Sequence, residues 1–526
     1  MSSKAMYLSS TALLWAAIPG AVATVMAQQP SPVLINPSRM AETGTVDPLY
    51  VSYNVEMVEI TGGRFWKPFE KEGAPSLQSA EVKPQTPTDP YQYRPPINLY
   101  NPRLRKLARA LSPSFIRISG TWRNSTYFQD DDSPALQTPP DGFKNVLTRP
   151  EWKAVIDFSH VVGAELVTSV SMSAGTRGAD GIWTPDQARK VFEYTKKLGG
   201  HVAATEFMNE PTFAALGGAP AGYDAAEFAK DVKAFQTFLR SESPDTIFLG
   251  PGGIGEGVAL IDGMPMPKLI SSEDMLTATG PVFDSFSYHF YTTLSERCVG
   301  KAGLSWDKVL TPAYLDRNPA AAAYYAKLRD AYLPGKPIWL TETGEAGCGG
   351  DRWASAFVDS FRFADQLGVL AQKNVQTVMV NTLASSDYGL LEESTFEPRP
   401  DYWLALLWKH TMGSRVLDPG VAPSANLRLY AHCMKDQKGG VSLLALNIDG
   451  KSNVRLQIPV EGERYTLSST DLLSKDALLN GSRLKATEDG TVPKLRGLKI
   501  MPGVIDLSPQ TITFIVLPSA QNSSCN

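Results

Sequence analysis

Two glutamates, far apart in the chain, each stand where a strand-like run ends. Glu210 follows the run 202–209 and precedes Pro211, while Glu342 ends an apolar run that begins at residue 337 and leads into a glycine-rich loop, 344–350. Breaking a glycosidic bond requires one carboxylic acid to protonate the leaving oxygen and a second carboxylate to attack the anomeric carbon. The pattern therefore predicts a glycoside hydrolase with Glu210 as acid/base and Glu342 as nucleophile.

Other carboxylates compete for these roles. Glu206 lies inside the strand-like run, where a charge facing a packed barrel interior is costly unless it is paired. Glu345 lies in the glycine-rich loop and is expected to be solvent-accessible. The alternative is that Glu210 and Glu342 end these runs by chance or serve as partners in ion pairs. In a retaining site their carboxyl groups should lie about 5 to 5.5 Å apart.

Strand-like runs alternate with helical stretches along most of the chain, which is typical of a (β/α)8 TIM barrel. Helical spacing of apolar residues predicts helices over 225–240 and 353–367. An Ala-, Tyr- and Leu-rich stretch predicts a further helix over 320–332, with Asn318 as its cap and Pro319 as its first helical position. The predicted strands are 49–56, 115–120, 165–172, 202–210, 246–250, 285–291, 338–343 and 375–383.

Past about residue 411 the pattern changes to short alternating runs separated by turn residues, which predicts an antiparallel β-sandwich. The predicted domains are a catalytic barrel over 49–410 and a C-terminal sandwich over 411–526. A proline- and tyrosine-rich stretch, 80–102, predicts a long loop over the barrel mouth or flank.

Composition narrows the function class and the compartment. The 526 residues carry a net charge of −4, which gives no field to gather nucleic acid or an anionic membrane surface. Residues 1–27 combine Lys4, an apolar run and small residues before Gln28, which predicts a signal peptide and a secreted or periplasmic protein without membrane attachment after cleavage. An uncleaved anchor is the alternative, although Pro19 and Gly20 interrupt the run.

Four cysteines in an exported chain allow three disulfide pairings. Cys298 and Cys348 follow the sixth and seventh predicted strands, whose loops are neighbours in a barrel, so we expect them to pair. Cys433 and Cys525 both lie in the C-terminal region and form the second expected pair; four free thiols are the alternative. No Cys or His pair has ligand spacing, so neither a metal site nor a cofactor is predicted.

Three Asn-X-Ser/Thr sequons, at Asn124, Asn480 and Asn522, are candidate glycosylation sites. Whether they carry glycan depends on the host.

The sequence resembles glycoside hydrolase family 79, the heparanase and β-glucuronidase family of retaining (β/α)8 enzymes. The resemblance rests on Asn209-Glu210-Pro211, on Glu342, and on the more specific blocks 387–390, 396–409 and 427–433. It covers nearly the whole mature chain. It implies that residues 30–48 supply a strand to the C-terminal sandwich.

The resemblance also implies roles for individual residues. Glu210 and Glu342 correspond to the family's acid/base and nucleophile, and Cys433 and Cys525 to its sandwich disulfide. Asn209 would contact the sugar 2-hydroxyl, and Tyr388 with the backbone N–H groups of Gly349 and Gly350 would hold the glucuronate carboxylate. The remaining positions implied to line the sugar pocket are Glu56, Thr121, His289 and Tyr291. For His289, Tyr291 and Tyr388 an ordinary packing role is the alternative, and the loop 345–350 and turn 119–121 depart from the family's pattern.

The expected substrate is a glucuronate-containing carbohydrate. Heparan sulfate is densely anionic, whereas the loops offer only scattered cations: Arg123, Arg177, Arg297, Lys301 and Arg352. We therefore expect an exo-β-glucuronidase that works by double displacement. The alternatives are an endo-β-glucuronidase acting on heparan- or hyaluronan-like chains, a xylosidase or glucosidase on the same barrel, and a non-catalytic carbohydrate-binding protein. The sequence leaves the oligomeric state open.

Overall fold

The computed structural model describes residues 1, 31–69, 89–261 and 269–526. The signal pattern over 1–27 lies outside the described residues except for Met1. Of the predicted loop 80–102, residues 80–88 lie outside them and residues 89–102 are described. None of the helices in the described part has the length and hydropathy that a membrane crossing requires.

Eight parallel strands close into a barrel, as the alternating pattern predicts. Each strand is almost wholly buried because the barrel interior covers one face and helices cover the other, which is why the runs read as continuous apolar stretches. In chain order the barrel strands are Val51–Glu56, Ser114–Ser119, Ala164–Ser169, Val202–Glu206, Ile247–Gly253, Ser285–Leu294, Ile338–Gly347 and Val375–Val380.

Helices surround the barrel, and two of them start elsewhere than the periodicity predicts. The predicted helix 353–367 is Phe357–Gln372, because residues 352–355 form a turn that does not continue into the helix. The predicted helix 320–332 begins at Arg317, so Asn318 lies inside its first turn and is buried, where it accepts a hydrogen bond from Gln366. The helices are Met57–Thr61, Pro102–Ala110, Arg149–Val162, Asp186–Lys197, Ala225–Glu242, Ser272–Thr279, Glu296–Val299, Pro312–Leu315, Arg317–Tyr332, Phe357–Gln372 and Pro400–Thr411.

Short strand pairs accompany the barrel. An antiparallel hairpin, Gly63–Trp66 with Tyr91–Arg94, follows the first barrel strand, and a parallel pair, Thr126–Gln129 with Asn145–Thr148, follows the second. Both lie in loops after barrel strands, where barrel enzymes carry their sites.

The C-terminal region forms two sheets that enclose a second hydrophobic core. The alternation of the sequence predicts this sandwich because one face of each strand is buried between the sheets. Its strands are Met412–Leu417, Leu427–Met434, Val441–Asn447, Val454–Ile458, Gly462–Ser468, Leu478–Leu479, Ser482–Arg483, Leu498–Ile500, Gly503–Leu507 and Thr511–Leu517.

The segment before the barrel supplies one strand to each of these sheets. Val33–Leu34 runs parallel to Val454–Ile458, and Glu42–Thr45 pairs antiparallel with Met412–Leu417. The larger sheet also packs on the barrel helix Phe357–Gln372, within the same core as the barrel. One face of the larger sheet therefore belongs to the core of the barrel, and its other face belongs to the second core.

Candidate active site

The barrel interior has an apolar layer and, one inward-facing position further along the strands, a polar layer. Phe115, Ala204 and Trp339 belong to a buried apolar cluster inside the barrel. Side chains alternate along a strand, so the next inward positions are Arg117, Glu206 and Thr341, all of which are buried and polar. The polar layer therefore begins immediately above an apolar base.

A bulge in the seventh strand brings a further carboxylate into this layer. In the pairing with the sixth strand, Tyr288 lies opposite Leu340 and His289 opposite Glu342, so Thr341 is the extra residue. A bulge of this kind re-aims the side chains that follow it. Thr341 donates to Glu206 Oε1 at 2.8 Å, and Glu342 nevertheless reaches Arg117 inside the barrel.

Arg117 is the cation at the centre of the layer. Its Nη1 donates to Glu342 Oε2 at 2.8 Å, and its Nε and Nη2 donate to Glu206 Oε2 at 3.0 and 2.8 Å. Nη2 also lies 2.8 Å from Asn209 Oδ1 and 3.2 Å from His289 Nε2. With its side chain only 1% exposed, Arg117 fixes the positions of two carboxylates and of Asn209.

Glu342 lies at the centre of the site, where both carboxylate oxygens accept hydrogen bonds. Tyr291 donates its hydroxyl to Oε1 at 2.7 Å, opposite the Arg117 contact on Oε2. Glu342 is 5% exposed. These two donors fix the orientation of the Glu342 carboxyl group.

Glu210 is held next to Glu342 by an unusual backbone and by His289. Its φ of 49° lies in the left-handed region, where the chain turns from the fourth strand into a short helix, Pro211–Phe213. His289 Nδ1 lies 3.0 Å from Glu210 Oε1 and 3.7 Å from Glu342 Oε2. One carboxyl oxygen of Glu210 lies within 4.8 Å of one of Glu342.

The environments of these groups push their pKa values in different directions. Burial raises the pKa of Glu210, the charge of Glu342 adds to the increase, and the hydrogen bond with His289 opposes it. Burial alone would lower the pKa of His289, but the negative field of Glu342, Glu210 and Glu206 outweighs it and the pKa is raised. Burial alone would raise the pKa of Glu206, but the charge of Arg117 lowers it. Glu210 therefore retains its proton to higher pH than an ordinary glutamate.

Asn381, at the end of the eighth strand, joins three of the residues implied to bind sugar. Its Nδ2 lies 2.9 Å from the Tyr291 hydroxyl, 3.0 Å from Glu56 Oε1 and 3.2 Å from the Tyr388 hydroxyl. Burial, and then the charge of Glu342, raise the pKa of Glu56 well above its ordinary value. The raised pKa favours the protonated form of Glu56, which can donate as well as accept.

The turn after the second strand passes close to Glu56 at a glycine. Gly120 has a φ of 89°, and a Cβ there would lie 1.5 Å from Glu56 Oε2, so only glycine fits. Thr121 follows it at the start of a short helix, Thr121–Ser125, and is half-buried beside this contact. The turn 119–121 thereby adjoins the carboxyl group of Glu56.

The loop after the seventh strand carries Gly349 and Gly350. Both are buried with φ of 82° and 80°, and a Cβ on Gly350 would lie 3.0 Å from the Cβ of Tyr388. The expectation that Glu345 is solvent-accessible is wrong: the strand extends to Gly347, and Glu345 is fully buried with Oε1 accepting the N–H of Asp351 at 2.6 Å. Glu345 supports the loop instead of facing solvent.

Both expected disulfides are present. Cys298 is bonded to Cys348 and Cys433 to Cys525. The first ties the loop after the sixth strand to the loop that carries Gly349, and the second joins the large sheet to the C-terminus.

Sequence reasoning missed Arg117, Asn381 and Asn124. The signal for Arg117 was a single charge inside an apolar strand, which needs a buried partner such as Glu206. Asn124 was interpreted as a candidate glycosylation site, but it is fully buried, and its side chain bonds the backbone N and O of Asn209 at 2.8 and 2.9 Å. Asn522 is likewise buried and donates to Pro37 and Met40 carbonyls.

Glu210, His289 and Glu342 each place one ligand atom within 4.8 Å of the others, which is close enough for a metal ion. Glu342, however, already has the charge of Arg117 at 2.8 Å, and a hydrogen bond joins Glu210 to His289. Each carboxylate of the group thus already has a partner within the protein.

Comparison with known proteins agrees with this geometry. The model described as "Glycosyl hydrolase family 79, N-terminal domain" matches residues 95–368. The heparanase of Mus musculus is 27% identical, over 86% of this chain and 92% of its own, and the baicalin-beta-D-glucuronidase of Scutellaria baicalensis is 26% identical, over 80% and 84%. The solved 4-O-alpha-L-rhamnosyl-beta-D-glucuronidase of Fusarium oxysporum 12S shares the fold with a TM-score of 0.64 at 12% identity, covering 92% of this chain and all of that one. The chain belongs to glycoside hydrolase family 79.

Proposed function

We propose that this protein is a secreted, retaining exo-β-glucuronidase, which removes a terminal β-linked glucuronate from a glycan or glycoside. The carrying observation is the carboxyl pair: one oxygen of Glu210 lies within 4.8 Å of one of Glu342, and both carboxyl groups lie near His289 Nδ1. Retaining pairs lie about 5 to 5.5 Å apart, whereas inverting pairs lie about 6.5 to 9.5 Å apart. The short separation supports double displacement.

In the first step Glu342 attacks the anomeric carbon while Glu210 gives its proton to the glycosidic oxygen, which leaves as an alcohol. The new bond joins Glu342 to the sugar. In the second step Glu210, now ionised, removes a proton from water, whose oxygen displaces Glu342 and releases glucuronate with its original configuration. The raised pKa of Glu210 supports its role as the acid.

The glucuronate is proposed to lie between the two glutamates and the Asn381 group. Asn209 would meet the 2-hydroxyl, since Arg117 and Asn124 fix its side chain and its backbone. Glu56 and Thr121 would contact hydroxyls at the far side of the ring. Tyr388, beside Gly350, would hold the carboxylate together with the N–H groups of Gly349 and Gly350. The relative named baicalin-beta-D-glucuronidase supports this substrate class.

The hairpin after the first strand supports exo action. Glu210 must face the glycosidic oxygen, so the leaving group lies on the side of the fourth strand. The hairpin lies across the barrel from it, with Phe65 against Trp122 at 5.0 Å between ring centroids and Trp66 against Gly349. Arg94 joins it to Ser385 at 2.7 Å. This cluster is proposed to close the site beyond the non-reducing end of the glucuronate.

Four of the five cations expected near the cleft already have partners within the protein, which favours an unsulfated substrate. Arg177, Arg297 and Arg352 pair with Asp231, Asp387 and Glu296. Arg123 is buried and donates to the Ser169 carbonyl. A sulfated chain would have to compete with these partners.

Secretion is proposed from the signal pattern together with two disulfides, which persist in oxidising compartments.

Hydrolysis of p-nitrophenyl and methyl β-glucuronide by Glu342→Gln and Glu210→Gln tests the assignment. Losing the nucleophile should abolish turnover of both substrates. Losing the acid should lower the rate on the methyl glucuronide roughly 100- to 10,000-fold. The first step on the p-nitrophenyl glucuronide should slow less, because nitrophenolate leaves without being protonated. The control is Glu256→Gln, a half-buried glutamate that bonds Ser272 beyond the fifth strand. Wild-type rates in both site variants would overturn the proposal.

Two further outcomes distinguish the alternatives. Release of glucuronate alone from an unsulfated heparosan or hyaluronan chain supports exo action, whereas a population of oligosaccharides means endo action. Binding without any turnover by the wild-type protein means a carbohydrate-binding protein.

A further inference from the structure

The loop proposed to hold the substrate carboxylate has a backbone that requires external support. Cys348, Gly349 and Gly350 are three consecutive residues with positive φ, of 65°, 82° and 80°. A non-glycine residue in this region is uncommon and persists where surrounding contacts hold it. The contacts that hold this loop therefore determine how its N–H groups are presented.

Arg297 makes several of these contacts from a neighbouring loop. Its Nη1 donates to the carbonyls of Gly350 and of Cys348, the latter at 3.4 Å. Its Nε donates to the carbonyl of Lys67 on the hairpin at 3.0 Å, and its Nη2 pairs with Asp387, next to Tyr388. The side chain is 5% exposed. One guanidinium thus connects three loops around the proposed carboxylate site.

These carbonyl contacts orient the amide groups of the loop. In a trans peptide the C=O and N–H point in opposite directions, so a donor on the Cys348 carbonyl turns the N–H of Gly349 away from Arg297. Ser386 does the same for the next peptide, since its hydroxyl donates to the Gly349 carbonyl at 2.8 Å. The following peptide shows the effect directly: Arg297 holds the Gly350 carbonyl, and the Asp351 N–H points to Glu345.

Two further contacts fix Arg297 itself. The adjacent Cys298 is bonded to Cys348, so the loop and its support are covalently joined. Phe69 lies with its ring centroid 3.8 Å from the Arg297 guanidinium carbon and 4.5 Å from that of Arg352. The Phe69 ring therefore holds Arg297 on the planar face of its guanidinium, in addition to its hydrogen bonds.

We propose that Arg297 is the positioning residue that makes this site specific for a carboxylate. It holds the Cys348–Gly349 peptide so that the N–H of Gly349 faces the sugar, and it polarises that peptide from the carbonyl side without touching the substrate. Ser386 completes the arrangement at Gly350. This inference rests on the proposed glucuronidase function.

The test compares p-nitrophenyl β-glucuronide with p-nitrophenyl β-glucoside, which differs in lacking the carboxylate. Arg297→Met should lower the glucuronide-to-glucoside ratio of kcat/KM roughly 10- to 100-fold, mainly through KM, since hydrogen bonds to charged groups are worth about 1.5 to 3 kcal/mol. The matched control is Arg352→Met, which removes a cation from the same ring but contacts Glu296 at the surface. It should leave the ratio unchanged.

Two milder variants keep the test decisive if Arg297→Met does not fold. Arg297→Lys retains the charge but lacks the fork needed to reach both carbonyls and Asp387, and Ser386→Ala removes the Gly349 contact. Each should lower the ratio in the same direction. Equal losses on both substrates would mean a merely structural role and overturn the inference. A wild-type preference for the glucoside would instead overturn the proposed function.

Discussion

Arg117 provides the most direct test of how the barrel interior is held together. Arg117→Met removes the guanidinium that hydrogen-bonds both Glu206 and Glu342, and it leaves two buried carboxylates without that cation. Removing one partner of a buried ion pair costs about 3 to 5 kcal/mol. We expect a loss of this size in the free energy of unfolding near pH 7, together with loss of glycosidase activity.

The pH dependence of this loss distinguishes charge from packing. In the wild type the pKa of Glu206 is lowered, so its contribution is fully present above the unfolded pKa and is lost as pH falls through the folded value. In the Arg117→Met variant, Glu206 remains buried but has lost the guanidinium, so its pKa is expected to rise. The folded variant must then either keep a buried, unpaired carboxylate or bind a proton. The stability loss should therefore grow from pH 5 to pH 7, by up to about 1.4 kcal/mol per pH unit for one carboxyl group.

Urea unfolding followed by circular dichroism at the two pH values measures this difference. The matched control is Arg123→Met, because Arg123 is equally buried but donates to the Ser169 carbonyl. That change should cost about 1 to 3 kcal/mol, with the same cost at both pH values. An Arg117→Met penalty that is below 1 kcal/mol, or that does not change with pH, would contradict the reasoning.

Two further predictions concern groups around the acid. His289→Gln removes the imidazole whose hydrogen bond, and then whose charge, lower the pKa of Glu210. The alkaline limb of the kcat/KM profile for a methyl glucuronide should therefore move to higher pH, and an unchanged limb would mean that Glu210 does not produce it. Gly120→Ala places a Cβ 1.5 Å from Glu56 Oε2 and should reduce activity strongly, as measured by kcat/KM. The control Gly199→Ala, at φ of 74° with open space around it, should cost stability alone, and equal effects of the two changes would contradict the steric argument.

The sequence predicted the barrel because each strand is buried on both faces and therefore appears as a continuous apolar run. All eight predicted strands overlap observed ones, although several ends differ. The ends were less predictable because strand residues continue into loops of similar composition. Glu345 shows this: its strand continues through residues that would otherwise suggest a glycine loop.

The two glutamates could be identified because each ends an apolar run, but their partners could not. Arg117 joins Glu206 and Glu342 across 89 and 225 residues of sequence, and such contacts depend on which strands become neighbours. The bulge at Thr341 was equally hidden, since strict alternation would send Glu342 to the outside of the barrel. The hydrogen-bonding role of Asn381 similarly depends on two other strands and on the loop that carries Tyr388.

The pairing of Thr45 with Arg415, and of Val33 with Leu456, has a consequence for how the protein is made. During synthesis residues 33–45 emerge early, yet their strand partners are produced only after the entire barrel sequence. Until then these segments expose unpaired backbone groups that could recruit another chain. Folding of residues 33–45 is thus coupled to synthesis of the sandwich strands that follow the barrel, and a fragment that stops after the barrel would lack the strands with which they pair.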